Sequence, residues 1–544
     1  MRITLAQINL KIGDIKKNLE KIIDAYKKAE KENSDIIVFP ELTITGYPPM
    51  DILENRNFIE DNIKALDIFK NYVKKTAAVV GFVDINKKKG KKLLNSIAFI
   101  ENSKIKHIFY KNLLPTYDVF EEKRYFEEGN EYEVFNFKGK KILLTVCEDI
   151  WADTELLPDV NLYKTNIIKK FNPDLIINIS ASPYYYGKIT ERKKILKEIS
   201  LNKKATIIYV NYYGAQDSLV FDGTSMIIDG NKIYQLQSFT EKIETIDINN
   251  LKNQEFEEDI LSVENAIITA IKDYFEKQGL KKAILGVSGG IDSAVVSCLL
   301  SKSLGSENVF GLIMPSKFTS KKSISDAIKL LNNLKIKYEI VSINDIYTSY
   351  LKTLKLDEKE IDITIQNIQA RIRANILMAY SNKYGYIVIN TSNKSEIAMG
   401  YSTMYGDSCG AISPIGDVLK TDVYRLSKLI NSEKEIIPLS IINKAPTAEL
   451  KPNQKDEDDL PPYKILDKVI KLYIEEQKDL KEIEKEIDPL IVNQIIKRIE
   501  ANEYKRKQFP LIIKVSKKTF GIGRIMPIVK FNEFYKKNLW EKFF

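Results

Sequence analysis

The sequence predicts an α/β protein in two parts, an α/β sandwich followed by a doubly wound parallel sheet. The chain has 544 residues, which is too long for a single hydrophobic core, because domains usually contain about 100–200 residues. Up to about residue 248, predicted strands and helices alternate, and several strands are apolar along their whole length. Strands of this kind are covered on both faces. A glycine-rich turn between a buried strand and a helix, at residues 286–293, opens the second part.

A change in composition marks the boundary between the two parts. Residues 249–262 are polar and acidic, which predicts a linker between a first domain over 1–248 and a second over 263–544. The apolar strands of the first domain are predicted at residues 36–39, 77–82, 142–146, 175–178 and 206–210. In the second domain, a helix is predicted at 263–278 and strands at 309–314, 338–341 and 386–390. This order places the glycine-rich turn at the carboxyl end of the first strand of a parallel sheet.

The composition excludes several classes of function. Apolar residues make up 44% of the chain and charged residues 29%, which is typical of a globular protein. No apolar run reaches the roughly 18 residues that a membrane-spanning helix needs, and the amino terminus resembles a first strand more than a signal peptide. The net charge of +9 comes mainly from scattered lysines, so no nucleic-acid partner is expected. We expect a cytoplasmic protein with no membrane partner.

The few cysteines and the single histidine limit the chemistry. The three cysteines are far apart in the sequence, so neither a disulfide framework nor a paired metal motif is expected. His107 begins an apolar segment after a polar turn and is interpreted as a strand residue. Any general base in this protein is therefore expected to be a residue other than histidine.

The glycine-rich turn has the features of a phosphate-binding loop. It consists of Gly286, Val287, Ser288, Gly289, Gly290, Ile291, Asp292 and Ser293. Adjacent glycines let backbone N–H groups converge on an anion at the positive end of the following helix. Asp292 would be repelled by phosphates unless a cation lay between them, which makes it a candidate Mg²⁺ ligand. An ordinary strand-to-helix turn is the alternative, but the six residues 288–293 together resemble the loop of the ATP pyrophosphatases.

Three polar residues follow apolar strands of the first domain and form a candidate catalytic set. Glu41 comes after the strand at 36–39, Lys111 after the segment that begins at His107, and Cys147 after the strand at 142–146. Without histidine, a carboxylate must deprotonate the thiol, while an ammonium group lowers the thiol pKa and stabilises an oxyanion. Taken singly, Cys147 could be a core residue, Lys111 a surface charge and Glu41 a carboxylate at a helix start.

Together these three residues resemble the Glu-Lys-Cys triad of the nitrilase superfamily. The resemblance includes the segment 178–183 and extends over the first 245 residues. It implies an α-β-β-α sandwich in which Glu41, Lys111 and Cys147 hydrolyse an amide. It also implies a glutamine site, and the matching positions are Tyr47, Tyr117, Glu148, Ser182 and Lys188.

The second domain resembles the NAD synthetases. The resemblance is carried by the segments 367–373, 390–396, 402–407, 419–422, 445–450 and 504–508. It implies that ATP is bound by the loop 286–293 together with Thr391, Lys420 and Thr447. It also implies that deamido-NAD is bound by Asn367, Arg371, Glu396, Asp407 and Lys505, and that Asp292 and Glu396 hold Mg²⁺.

From end to end the chain resembles the family of glutamine-dependent NAD synthetases. The resemblance implies ATP-dependent amidation of deamido-NAD⁺ to NAD⁺ with ammonia from L-glutamine, which is the last step of NAD⁺ biosynthesis. Mg²⁺ is the expected cofactor, ATP a co-substrate, and a homo-oligomer the expected assembly. Fusion of the two domains favours passage of ammonia through an internal channel. Two alternatives remain open, another amidotransferase that acts on a GMP precursor or aspartate, and a catalytically degenerate scaffold.

Overall fold

The computed structural model describes residues 1–130, 132–151, 168–357, 359 and 362–531. The chain divides into two compact units, Met1–Ser262 and Val263–Phe544. No helix in the described ranges combines the length and the apolar character that are needed to cross a lipid bilayer.

The first unit consists mainly of strands, and its helices are few. The described strands are β1 (Arg2–Gln7), β2 (Ile36–Val38), β3 (Ala77–Ile85), β4 (Leu93–Glu101), β5 (Lys104–Tyr110), β6 (Val134–Phe137), β7 (Lys140–Val146), β8 (Leu175–Ser180), β9 (Thr206–Asn211), β10 (Tyr213–Gln216), β11 (Leu219–Asp222), β12 (Met226–Asp229), β13 (Lys232–Gln235) and β14 (Lys242–Asp247). The α-helices are α1 (Ile15–Lys31), α2 (Arg56–Tyr72), α3 (Glu122–Tyr125) and α4 (Lys188–Lys203). Short 3₁₀ helices lie at Met50–Glu54, Cys147–Trp151, Ile168–Lys170 and Ile248–Asn250.

Two six-stranded sheets stack face to face in this unit. Their strand orders are β14-β1-β2-β3-β4-β5 and β13-β12-β9-β8-β7-β6. One hydrophobic core joins residues of both sheets, among them Leu5 and Val79 from the first and Leu144 and Ile177 from the second. Separate cores lie under α1 and α2 on the first sheet and under α4 on the second. This layering confirms the α-β-β-α sandwich.

Parallel strands in each sheet bring their carboxyl ends, and the polar residues that follow them, to one edge of that sheet. Within the sheets, β1, β2 and β3 run parallel, as do β7, β8 and β9. The apolar strands expected from the sequence are all present, and each end differs from the expectation by a few residues at most. His107 lies in β5, as expected, where its ring stacks on Phe135 with centroids 4.2 Å apart.

The second unit is built on a smaller sheet with more helices. Its strands are β15 (Ala283–Gly286), β16 (Val309–Ile313), β17 (Lys337–Ile340), β18 (Ile387–Val388), β19 (Ile412–Ser413) and β20 (Leu511–Ile512). Its α-helices are α5 (Ile260–Gln278), α6 (Ile291–Leu304), α7 (Lys321–Leu334), α8 (Asn344–Leu354), α9 (Ile363–Tyr384), α10 (Lys394–Met399), α11 (Lys420–Ile430), α12 (Leu439–Ile442), α13 (Tyr463–Ile470), α14 (Leu480–Glu484), α15 (Pro489–Ala501) and α16 (Glu503–Arg506). The described residues also include a π-helical turn at Lys471–Glu475 and 3₁₀ turns at Ser306–Asn308 and Asp456–Asp458.

The central sheet of this unit is parallel and has the order β17-β16-β15-β18. The chain moves from β15 outward to β17 and returns to the other side of β15 with β18, so the strand order reverses there. Helices α8 and α9 cover Ile284 and Leu312 on one face. Leu285 alternates with Ile284 and points to the other face, where α6 packs. The expected doubly wound sheet is therefore confirmed, and ligands bind such sheets beside the reversal, at the carboxyl ends of the strands.

The segment between the two units makes ordered contacts with the first. Helix α5 begins at Ile260, three residues earlier than the expected start at 263. Residue Gln254 pairs with Tyr234 of β13 in a parallel bridge, and Glu258 accepts hydrogen bonds from the start of α4.

Candidate active sites

The three candidate catalytic residues of the first unit occupy positions just past strand ends, as expected. Glu41 follows β2, Lys111 follows β5 directly, and Cys147 follows β7 directly. All three side chains are almost fully buried. The parallel course of β7 and β8 also brings the end of β8 to the same edge of the second sheet.

Lys111 is the centre of the polar network. Its ammonium donates to Glu41 Oε1 at 2.8 Å and to Glu122 Oε1 at 2.7 Å, and its own exposure is 0%. Burial alone would lower the pKa of Lys111, but the charges of Glu122 and Glu41 outweigh burial and raise it well above its ordinary value. Lys111 is therefore a permanently charged group inside the protein.

The carboxylate of Glu41 accepts hydrogen bonds from three donors. Asn95 Nδ2 and Lys111 Nζ both donate to Oε1, at 2.7 and 2.8 Å, and the backbone N–H of Ala181 donates to Oε2 at 3.0 Å. Ala181 follows β8, so the carboxylate bridges the edges of both sheets. This orientation leaves the carboxylate in one fixed position.

Cys147 has the backbone conformation of a residue displayed on a sharp turn. Its φ is +43°, in the left-handed region that non-glycine residues seldom adopt, and a 3₁₀ helix starts at this residue. Asn178 Nδ2 donates to its carbonyl oxygen at 3.3 Å. Burial raises the pKa of the thiol well above its ordinary value, Glu41 raises it further, and Lys111 opposes both. The resting side chain is accordingly a neutral thiol that needs a base.

The expected glutamine-site residues lie around the same strand ends. Tyr117 donates to Glu148 Oε1 at 2.9 Å, and Glu148 is the neighbour of the candidate nucleophile. Tyr47 is buried and donates to Glu122 Oε1 at 2.9 Å. The Lys188 ammonium lies 4.6 Å from the centre of the Trp151 ring, and burial lowers its pKa. The charges of Glu148 and Cys147 act on Lys188, which places all three in one neighbourhood.

Sequence reasoning missed several members of this site. Glu122 is the second carboxylate on Lys111, and burial raises its pKa. Arg192 donates to Ser182 Oγ at 3.3 Å and forms a two-point ion pair with Asp222, at 2.8 and 3.1 Å. Both missed charges are nearly fully buried. A glutamate at the start of a one-turn helix and an arginine in a lysine-rich helix carry no sequence signal that separates them from surface charges.

The glycine-rich loop of the second unit, residues 286–293, joins β15 to α6, as expected. Gly289 has φ +77°, and a Cβ there would lie 2.3 Å from the carbonyl oxygen of Ser323, so only glycine fits. Gly290 has an ordinary φ of −95° and serves as the N-cap of α6. The hydroxyls of Ser288 and Ser293 lie 3.3 Å apart, and Ser288 Oγ accepts from the N–H of Gly290.

Asp292 faces a cation, which is the ammonium of Lys420. Lys420 Nζ donates to Asp292 Oδ2 and, at 3.3 Å, to Glu396 Oε1. Burial raises the pKa of Glu396 to about 8, with Lys420 opposing and Asp292 reinforcing the shift. Asn393 caps α10 and also donates to Asp292 Oδ1 at 3.0 Å. The two candidate Mg²⁺ ligands and Lys420 therefore share one cluster.

Two cavities flank the loop at the carboxyl ends of the strands. The first measures about 250 Å³ and is mainly apolar, with walls that include Leu312, Leu377 and Ile389. The second measures about 180 Å³ and is more polar than the first, with Asp292, Lys420 and Thr447 in its walls. Residues shared by both cavities are Ser288, Thr391, Asp407, Ala448 and Glu449. The pair can accommodate a ligand with an apolar part and a polar part.

Other expected ligand residues lie outside these two cavities. Asn367 accepts from Thr403 Oγ1 at 2.8 Å, Arg371 donates to the carbonyl of Met404 at 3.3 Å, and Lys505 donates to the carbonyls of Gly400 and Ser402. All three interact with the segment 400–404, which joins α10 to Asp407. Two residues of the expected deamido-NAD set do line the cavities. Asp407 lines both cavities, and Glu396 lines the second.

One cationic residue of the apolar cavity was not expected. Arg373 lines the cavity, donates to the carbonyl of Met314 at 3.0 Å, and burial lowers its pKa to about 10. Arg373 stands two residues from Arg371 in α9, and the sequence alone does not distinguish which of the two faces inward.

The fold and these two sites define a class of protein, an amide hydrolase joined to a nucleotide-binding ligase. Family models agree, since the carbon-nitrogen hydrolase family matches residues 2–254 and the NAD synthase family matches residues 263–509. The glutamine-dependent NAD(+) synthetase of Thermotoga maritima is 40% identical, with 97% of this chain and 98% of the relative covered. That of Aquifex aeolicus is 38% identical, with 98% and 100% covered.

Solved structures are similar over the same length. A glutamine-dependent NAD⁺ synthetase from Acinetobacter baumannii in complex with ADP is 34% identical, has a TM-score of 0.76, and covers 97% of this chain and 98% of its own. One from Cytophaga hutchinsonii is 21% identical with a TM-score of 0.83 and 98% of each chain covered, which supports the fold. The chain belongs to the glutamine-dependent NAD⁺ synthetase family, as the sequence indicated.

Proposed function

We propose that the protein makes NAD⁺ by ATP-dependent amidation of deamido-NAD⁺, with ammonia that it releases from L-glutamine. The other products are AMP, pyrophosphate and glutamate, and the reaction is the last step of NAD⁺ biosynthesis. The observation that carries the proposal is the presence of both sites in one chain whose full-length relatives are glutamine-dependent NAD⁺ synthetases.

Glutamine hydrolysis is assigned to Glu41, Lys111 and Cys147. Glu41 takes the proton of the neutral thiol, and the thiolate attacks the carbon of the side-chain amide. Lys111 stays charged, because two carboxylates raise its pKa, and it stabilises the oxyanion of the tetrahedral intermediate. Ammonia leaves with a proton from Glu41, and water then cleaves the thioester to give glutamate and the free thiol.

The glutamine side chain and its α-amino acid group need separate contacts. We assign them to Tyr47, Tyr117, Glu148, Ser182 and Lys188. Support comes from the bond between Tyr117 and Glu148 and from the position of Lys188 over Trp151, both next to Cys147. Carboxylate and ammonium side chains suit the two charged ends of an amino acid.

Amide synthesis is assigned to the second unit. The carboxylate of the nicotinate ring attacks the α-phosphate of ATP, which gives an adenylate and releases pyrophosphate. Ammonia then attacks the activated carbonyl and displaces AMP. The loop 286–293 supplies N–H groups at the start of α6 to the pyrophosphate end of ATP, and Thr391, Lys420 and Thr447 complete the ATP site.

Mg²⁺ is the cofactor we propose for this step. In the described residues, no group of three or more His, Cys, Asp or Glu side chains is arranged to hold a metal. The set still fits Mg²⁺, because this ion is commonly bound by one or two carboxylates together with substrate phosphates and water. Asp292 and Glu396 are the two carboxylates, and the ammonium of Lys420 lies between them. When bound, Mg²⁺ neutralises phosphate charge and favours departure of pyrophosphate.

Deamido-NAD⁺ is assigned to the residues around the segment 400–407. The assigned residues are Asn367, Arg371, Glu396, Asp407 and Lys505. Their support is the shared network through which Asn367, Arg371 and Lys505 hold this segment, and the position of Asp407 beside the ATP loop.

We further propose the organisation of the whole protein. The glutaminase domain spans 1–248, the linker 249–262 and the synthetase domain 263–544. A cytoplasmic location is supported by three free cysteines, which a reducing compartment preserves. A homo-oligomer is supported by exposed apolar side chains near the carboxyl terminus, where Ile525 is 74% and Val529 96% exposed.

A steady-state assay tests the proposal. The enzyme is supplied with ATP, Mg²⁺, deamido-NAD⁺ and either glutamine or ammonium, and products are identified by mass. NAD⁺, AMP and pyrophosphate are expected with both donors, and glutamate with glutamine alone. Amidation of a GMP precursor or of aspartate, in place of deamido-NAD⁺, would assign the chain to another amidotransferase.

The channel for ammonia is a further part of the proposal. Ammonia in neutral water is mostly ammonium, which is not a nucleophile, and an exposed adenylate hydrolyses. The test runs the wild-type enzyme on unlabelled glutamine with ¹⁵N-ammonium present below its KM. Little label in the NAD⁺ amide is expected, whereas label equal to that of the bulk pool would exclude a channel.

A further inference from the structure

Helix α4 begins without a capping side chain of its own. Its N-cap is Gly187, which has φ +102° and offers no side-chain acceptor to the free N–H groups of the first turn. Helices normally satisfy these groups with Ser, Thr, Asp or Asn at the N-cap and with an acidic residue three positions later. The residue three positions later is Thr190, so neither half of the usual capping box is present in the sequence of α4.

Glu258 lies about 70 positions after the start of α4 in the sequence, and its carboxylate supplies both halves of the capping box. Its Oε1 accepts from the N–H of Gly187 at 2.8 Å, and its Oε2 accepts from the N–H of Thr190 at 3.1 Å and from the hydroxyl of Thr190 at 3.3 Å. These are the same two backbone groups that a capping box satisfies. One carboxylate also places a negative charge at the positive end of a 16-residue helix.

The residues before Glu258 hold this carboxylate in place. Gln254 pairs with β13 through the backbone of Gln235 and Ile233. The ammonium of Lys193 in α4 donates to the carbonyl of Phe256 at 3.0 Å and lies 3.7 Å from Glu255. The segment 254–258 is thus fastened to α4 at several points, two residues before α5 begins.

The capped turn carries groups that face the glutamine site. Lys188 is the first residue of α4, and its ammonium lies over Trp151, four residues after Cys147. One turn later, Arg192 is fully buried against Asp222 and donates to Ser182 Oγ. A change in the first turn of α4 would move Lys188 directly and would disturb Ser182 through Arg192.

We propose that Glu258 is a positioning residue for glutamine hydrolysis, which acts by capping α4 and so holding Lys188 and the Arg192–Ser182 contact in place. The inference rests on the proposed glutaminase function of the first unit. It assigns a role to the connecting segment beyond joining two domains, since Glu258 stands two residues before the start of α5 in the sequence.

The test compares Glu258→Ala with the full-length wild-type enzyme and with Glu257→Gln. Glu257 is exposed and adjacent, so its variant removes one carboxylate charge from the same segment without removing the cap. Initial rates of glutamine hydrolysis are measured over a range of glutamine concentrations. For Glu258→Ala we expect the KM for glutamine to rise about five- to tenfold, because the first turn of α4, which carries Lys188, loses its cap. Glu257→Gln is expected to match the wild type.

Two further measurements separate positioning from stability. Synthesis with added ammonium does not use the glutamine site and is expected to be equal in all variants. The double variant Glu258→Ala, Thr190→Glu restores a carboxylate at the third position of α4 and is expected to recover part of the KM. An unchanged glutamine KM in Glu258→Ala, an equal loss of ammonium-dependent synthesis, or no recovery in the folded double variant would each overturn the inference. Absence of glutamine hydrolysis in the wild type would instead refute the proposed function.

Discussion

Lys111 Nζ lies 2.7 Å from Glu122 Oε1 in the interior of the first unit, where the two side chains are 0% and 5% exposed. The same ammonium is bound to Glu41, so one lysine is shared by two carboxylates. Tyr47 donates to the same oxygen of Glu122. Glu122 therefore holds Lys111 through a second contact besides that with Glu41, and its charge raises the pKa of the lysine.

Replacement of Glu122 tests this contribution to glutamine hydrolysis. In Glu122→Gln the amide keeps its volume but loses the charge that holds Lys111, so the oxyanion contact is weakened. We expect kcat for glutamine hydrolysis to fall about 100-fold, within the range that removal of acid–base support produces. Synthesis with ammonium should persist. Glu121→Gln, on the exposed neighbouring carboxylate, is the control, and an unchanged kcat in Glu122→Gln would contradict the assignment.

Replacement of Cys147 separates the two activities. Cys147→Ala removes the only sulfur that can attack glutamine in the proposed site, while the adenylate accepts ammonia from any source. We expect synthesis from glutamine to fall to background and synthesis with ammonium to remain near the wild-type rate. Cys298→Ala, which removes a buried thiol of α6, should use both donors. Equal loss of both donors in Cys147→Ala would identify Cys147 as a packing residue.

Replacement of Asp292 tests the nucleotide site and should have the reverse effect of Cys147→Ala, with synthesis lost and glutamine hydrolysis kept. Asp292→Asn removes one of the two carboxylates that meet at Lys420. We expect amide synthesis with either donor to fall by about 100-fold or more, because charge neutralisation at the phosphates is lost, and basal glutamine hydrolysis to remain. Asp422→Asn, on a nearby carboxylate of α11 paired with Arg425, is the matched control. Normal synthesis by Asp292→Asn would refute the proposed metal role.

The sequence was sufficient to place candidate residues in the fold where they belong to a short continuous stretch. The loop 286–293 combines its strand, glycines and helix start within a few residues, so local rules identify it. The ends of apolar strands likewise indicated Glu41, Lys111 and Cys147, because strand ends of a buried sheet meet at one edge. These predictions needed no knowledge of distant contacts.

The sequence was insufficient where a charge gains its role from a distant partner. Glu122 reaches Lys111 because the irregular stretch 112–121 folds back onto β5, and Arg192 is buried because Asp222 meets it from β11. Neither residue differs in pattern from a solvated charge. Asp292 was expected to bind Mg²⁺, and no sequence pattern indicated that Lys420, 128 positions away, lies beside it.

Lys394 is another buried charge, and its ion pairs should contribute to the stability of the second unit. It has 0% exposure in α10 and contacts Asp417 at 3.0 Å, Glu475 at 2.6 Å and Ser516 Oγ at 2.6 Å. Lys394→Met leaves Asp417 in the interior without this partner, which typically costs about 3–5 kcal/mol. We expect a lower calorimetric Tm for the transition of the second unit.

Calorimetry of the full chain resolves this effect if the two units unfold separately, so each transition is compared with that of the wild type. Lys329→Met is the control, because Lys329 and its partner Glu435 are 57% and 41% exposed, so the pair should contribute less than about 1 kcal/mol. Equal Tm shifts in the two variants would show that burial of Lys394 does not determine the result.

The last prediction concerns the pH dependence of stability at Asp407. Burial raises the pKa of Asp407 from its usual 3.8 to about 6, although the N–H of Thr403 and the charge of Lys505 oppose the shift. Between about pH 4 and pH 6, the folded protein keeps this proton and the unfolded chain has lost it, so the free energy of unfolding falls as pH rises through that window. The pKa shift of about two units corresponds to a loss of about 3 kcal/mol in the free energy of unfolding, which is complete above pH 6.

Asp407→Asn cannot titrate at this position. The Tm of this variant relative to that of the wild type should therefore rise from pH 4 to pH 7. Asp345→Asn, on the exposed first turn of α8, is the matched control. Differential scanning calorimetry without ligands measures both variants, and a Tm difference for Asp407→Asn that stays constant over this range would refute the raised pKa.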